Sequence, residues 1–256
     1  MESCIDIFQH PIDMEPILVV LIFSALAALI APLGVLPLRG RESPPLAWIG
    51  WSNALAAGFM FGAAFVIAED ALNHGPTWSA LGALLGIGFI HWTHHVSGTA
   101  NLDLNQLRDA GPAYGYQVLL VSGLHGASEG VAIGVAMLDS LPFGILVALA
   151  MAAHNVPEAT ILGAVLRGTG VRLGHAAGLA VAANVGQILL AVATFAVVPA
   201  IPGLFPVALG FAVGALTYLA MSELLPQAYR QAGKVSIALV TSVAMGFVVV
   251  LHGFVG

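Results

Sequence analysis

Apolar residues run along this chain in blocks of twenty or more, broken by short clusters of Pro, Gly and charge. A hydrocarbon layer about 30 Å thick is crossed by roughly 20 residues of helix. Blocks of that length lie at 16–38, 46–70, 77–97, 113–138, 143–167, 173–198, 203–228 and 235–255. They predict an all-α polytopic membrane protein with eight transmembrane helices. The connections are short except for 98–112, so residues 1–256 read as a single transmembrane domain with no soluble part.

Composition agrees with the pattern. Of 256 residues, 59% are hydrophobic and only 8% charged, against about 25% charged in a soluble domain, and mean hydropathy is +0.97. The single cysteine, Cys4, excludes an intramolecular disulfide and a thiolate metal cluster. Basic residues are too few for a nucleic-acid surface, and the formal net charge is −6. The first fifteen residues hold Glu2, Asp6, Asp13 and Glu15 without Lys or Arg, which argues against a cleaved signal peptide.

Charge placement then orients the spans. The 7 basic residues are Arg39, Arg41, Arg108, Arg167, Arg172, Arg230 and Lys234. All fall in the connections after spans one, three, five and seven, and the opposite side carries acids only. The positive-inside rule places both termini outside the cytoplasm. An internal echo links "GFMFGAA" at 58–64 with "GFAVGAL" at 210–216, in spans that run in opposite directions. Similar sequence in opposite topology is the trace an inverted repeat leaves.

Ionisable groups inside spans are costly and mark function. Span four contains "HGASEG", with His125 and Glu129 at i and i+4. Span five contains "HNVPEA", with His154 and Glu158 at the same spacing. Residues four apart share a helix face, and both histidines lie about 17–18 Å from the end where their span begins. Antiparallel neighbours can therefore bring two imidazoles and two carboxylates together, a donor set suited to zinc, iron, manganese and similar divalent ions. Pro157 removes the N–H that would bond the Ala153 carbonyl, and Asn155 adds an amide oxygen. These residues predict a hydrated metal site at mid-membrane. Ligands bind metal deprotonated, so binding is expected to weaken in acid.

These motifs resemble the ZIP family of divalent metal transporters, including its bacterial ZupT- and GufA-like members. "HNVPEA" is similar to the family's span-five signature, "HGASEG" to that of span four, and "SELLPQA" at 222–228 to span seven. The resemblance covers nearly the whole chain. It implies an inverted 3+2+3 arrangement of spans, uptake of a divalent metal such as zinc toward the cytoplasm, and a site between spans four and five. It also implies residence in a bacterial cytoplasmic membrane, with lipid and the metal ion as partners and no separate cofactor. The small-residue stripes permit a homodimer.

The chain departs from the family pattern in span four, where Gly126 and Ser128 replace Asn and Pro. In span six, Asn184 and Gln187 stand where many members carry a glutamate. Neutral amides balance a second divalent charge poorly, so one metal site is expected rather than two. Glu223 in span seven, with His91 and His95 in "HWTHH", is expected to receive metal leaving the centre; His94 ranks below them. An intramembrane metallohydrolase would also use His and Glu, but the chain has no HExxH. A passive channel would use the same ligands, and a metal sensor would need an output domain.

Overall fold

In the computed structural model, residues 14–40, 45–97 and 112–255 are described. Cys4, His10, Arg41, Arg108 and the acids at 2, 6 and 13 lie outside them. The described residues are helical, with no strand among them. The helices are α1 (Met14–Ile30), α2 (Leu46–His74), α3 (Pro76–Ser97), α4 (Pro112–Asp139), α5 (Leu141–Gly168), α6 (Leu173–Ala183), α7 (Val185–Val197), α8 (Leu204–Leu219), α9 (Leu225–Gln231) and α10 (Lys234–Val255).

Three predicted spans have internal structure that their apolar pattern did not show. Helix α1 tightens into a 3₁₀ stretch, Ala31–Leu38, containing Pro32 and Pro37. The sixth span breaks at Asn184, whose side chain donates 2.9 Å to the Ala180 carbonyl. The seventh consists of α8 and α9 joined by a π turn, Ala220–Leu224. Pro226 follows that turn, and proline clashes with the carbonyl four residues back, here that of Ser222. The extra residue of the π turn relieves this clash and reorients Glu223 within it.

Among the described residues, seven helical stretches are long and apolar enough to cross a membrane. Helix α3 matches them in length, but His91, Trp92, Thr93, His94 and His95 make it less apolar. Large side chains such as Leu84, Leu239 and Phe254 stand on the exterior at 67%, 63% and 84% exposure. So much exposed apolar surface fits a lipid environment.

The helices pack as two groups. One holds α2, α3, α8, α9 and α10; the other holds α1 with its 3₁₀ extension, α4, α5, α6 and α7. The seam between them is formed mainly by α2 against α5 and α4 against α8. The sequence echo now has a physical meaning. Gly58 and Gly62 seat α10, because a Cβ at either would strike Thr241, Ala244 or Val248. Gly210 and Gly214 seat α3 in the same manner, against the backbone of Ser79 and Ala83. Both copies of the motif are close-approach surfaces for a neighbouring span.

Candidate metal centre

Along the seam the polar residues gather into clusters rather than one pool. At the centre stand Glu129 from α4 with His154 and Glu158 from α5, offering ligand atoms within 4.8 Å of one another. His154 is 2% exposed and Glu129 is fully enclosed. The Nδ1 of His154 lies 3.2 Å from the Ala56 carbonyl of α2. A carbonyl only accepts, so Nδ1 carries the proton and donates. In a neutral ring, Nε2 then offers its lone pair.

That lone pair faces carboxylates. Nε2 lies 3.2 Å from Glu129 Oε1 and 3.8 Å from Glu158 Oε2. Oε1 of Glu129 has His154 Nε2 beside it and Oε2 has no hydrogen-bond partner among the described residues, while Ser122 hydrogen-bonds Glu158. A dry carboxylate without donors is strongly disfavoured unless a cation stands beside it. An imidazole anchored through one nitrogen and presenting the other is the usual arrangement of a metal-binding histidine.

His125 does not join this cluster. It is buried beside His94 of α3, ring centroids 5.1 Å apart, with Nε2 3.5 Å from Glu223 Oε1. His94 also pairs with Glu223. His94, His125 and Glu223 thus form a second group whose ligand atoms lie within 4.8 Å of one another. The four residues expected to converge are divided between two clusters, with α4 contributing one residue to each.

The rest of the expected set has other partners. Asn155 is buried, and its amide nitrogen donates 3.0 Å to the Ala27 carbonyl of α1 and 3.0 Å to Gln187 Oε1 of α7. It braces three helices, while its own oxygen accepts no hydrogen bond. Gln187 is fully buried by this contact. Asn184 caps the helix break. At Gly126, a Cβ would lie 3.3 Å from the Ala183 carbonyl, so the tight fit of α4 against the α6–α7 break leaves little room for a ligand side chain. Helix α5 continues unbroken through Pro157.

On α3, His95 is exposed and His91 Nδ1 lies 3.1 Å from the Tyr218 hydroxyl. His94 is the histidine that reaches Glu223. The signal for this lay in steps of four: Gly82, Gly86, Ile90 and His94 share one face, and both glycines abut α8.

No family model matches the chain. A relative from Arabidopsis thaliana, named "Putative zinc transporter", is 29% identical over 230 residues, which is 88% of this chain. The chain spans 37% of that relative's length.

Proposed function

We propose that the chain is a ZIP-like divalent metal transporter that carries zinc or a similar first-row ion toward the cytoplasm. The observation that carries this reading is Glu129: a carboxylate enclosed at mid-membrane, with Oε2 unpartnered among the described residues and Oε1 facing the Nε2 of an anchored imidazole. A divalent ion between Glu129, His154 and Glu158 resolves that arrangement, with the Asn155 oxygen as an auxiliary ligand. His94, His125 and Glu223 form the next stop toward the basic ends of the helices. The central site holds one ion, because Gly126 offers no donor and Gln187 is engaged by Asn155.

Eight spans with both termini outside, arranged as inverted 3+2+3 repeats, complete the proposal. The uneven distribution of basic residues and the two glycine seats support it, and the distant relationship to a protein named as a zinc transporter supports the cargo. Movement of one helix group against the other along the seam would expose the centre to each side in turn. In proteoliposomes, His154→Ala and Glu158→Ala should each abolish saturable zinc uptake. Unchanged uptake in both variants would sink the assignment, and uptake rising linearly over a wide zinc range would favour a channel.

A further inference from the structure

A third cluster of metal-binding side chains lies on the same seam, at the end of the bundle away from the basic residues. Asp70 and His74 end α2, and Asp139 ends α4; their ligand atoms lie within 4.8 Å of one another. A cavity of about 170 Å³ opens beside them, lined by Glu69, Asp70, Asp139 and His252 among others. The nearest basic residue on the same helix as His252 is Lys234, at the far end of α10. That separation is 18 residues, or about 27 Å. Three carboxylates therefore share this end with two imidazoles and no Lys or Arg from the described termini of α2, α4 or α10.

The atoms are arranged for coordination. His74 Nδ1 lies 3.1 Å from Asp70 Oδ1 and 3.1 Å from the Asp70 carbonyl. Both are acceptors, so Nδ1 is the donor and Nε2 presents its lone pair. Nε2 points at Asp139 Oδ1 across 3.9 Å. That gap is too wide for a hydrogen bond and close to the roughly 3.4 Å that separates two ligands of one tetrahedral zinc. Asp70 Oδ2 is buried and accepts no hydrogen bond. One oxygen of Asp70 thus orients the imidazole and the other remains available to an ion.

We propose that Asp70, His74 and Asp139 form an outer divalent transition-metal site at the mouth of the seam, with Glu69 and His252 lining the approach to it. It captures the ion before the ion loses its water and descends to Glu129. The site rests on the transport reading for its role as a capture point, but its binding of metal does not depend on that reading. Carboxylate and imidazole together favour zinc, iron or manganese over calcium.

Equilibrium dialysis of the full chain in detergent against zinc chloride tests this. A central variant carrying His154→Ala, Glu158→Ala, His125→Ala and Glu223→Gln, which disables both inner clusters, should retain one zinc per chain, and adding Asp70→Asn with Asp139→Asn should remove it. The near-isosteric outer changes sit on partly exposed side chains, and a thermal unfolding curve of each variant checks folding. Zinc should raise the unfolding temperature of the central variant and not of the variant that carries the outer changes as well. A central variant that binds no zinc while the parent chain does would overturn the proposal, as would zinc retained in a folded variant that carries the central and the outer changes together. If the central changes remove nothing while the outer pair removes zinc, the outer site is supported and the central assignment fails. Uptake at low zinc should fall about tenfold in the outer pair, the scale on which a focused field raises ion capture.

Discussion

Two clusters on one seam use the same chemistry at opposite extremes of exposure. At the centre, His154 is held by the Ala56 carbonyl and looks at Glu129, which has no contact with solvent. At the mouth, His74 is held by Asp70 and looks at Asp139, with side-chain exposures of 40% and 29%. The anchored nitrogen and the presented nitrogen are the same in both. Only the surroundings change. Water can satisfy the outer carboxylates when no ion is bound, whereas among the described residues Glu129 meets only His154 through Oε1 and has no partner for Oε2. The comparison teaches that burial sets how much a cluster requires its ion, while ligand geometry sets which ion it accepts.

The largest effect should come from Glu129→Gln, which removes the enclosed charge. Zinc affinity of the central site should fall at least about 100-fold, since losing even an outer-sphere partner costs 10–100-fold. Titration with zinc checks this, and an equal loss from Asp139→Asn at the mouth would break the contrast between dry and wet sites. Next in size is Gly130→Ala. Its methyl would strike the Gln187 carbonyl of α7 and push α4 outward beside Glu129. Central zinc binding should weaken by about tenfold, on the scale of 1–3 kcal/mol for overpacking, with the outer site unmoved. Gly123→Ala, where the nearest atom is 3.7 Å away, serves as its control. At the mouth, His74→Ala should weaken the outer zinc by roughly tenfold and leave central zinc in place. The smallest change should follow Asn155→Ala, which removes hydrogen bonds worth about 0.6 kcal/mol each in membrane proteins. Its thermal unfolding should drop by a few degrees; an unchanged curve would show that the bracket contributes nothing.

Much of this was written in the chain. Apolar blocks, unbroken but for Pro, Gly and polar clusters, gave the helices, and the i, i+4 spacing of His154 and Glu158 placed both on one face. The partner of His154 was harder to read. By rise alone, His154 lies about 20 Å from the outer end of α5, while on α4 His125 lies about 21 Å and Glu129 about 15 Å from theirs. Depth favours His125, yet the rotation of α4 turns Glu129 toward His154 and leaves His125 to Glu223. Axial rotation is set by packing of small residues such as Gly130 and Gly134 on α7, which spacing within one helix does not reveal. The same holds on α3, where His94 rather than His91 or His95 faces inward. Asn155 was legible as a polar intruder but not as a brace, because its partners Ala27 and Gln187 lie 128 and 32 residues away.

The bond from His154 to Ala56 joins α5 to α2, and these helices belong to different groups. Were one group to slide past the other, as the proposed transport cycle requires, the carbonyl would leave the ring nitrogen and free the imidazole to turn. On that proposal, the grip on the ion would be tied to the relative position of the two groups: firm where the carbonyl holds the ring, loose where it does not. An ion that binds one placement more tightly than another shifts the balance between them by that difference in affinity, and a single main-chain oxygen is enough to make the cargo and the movement answer to each other.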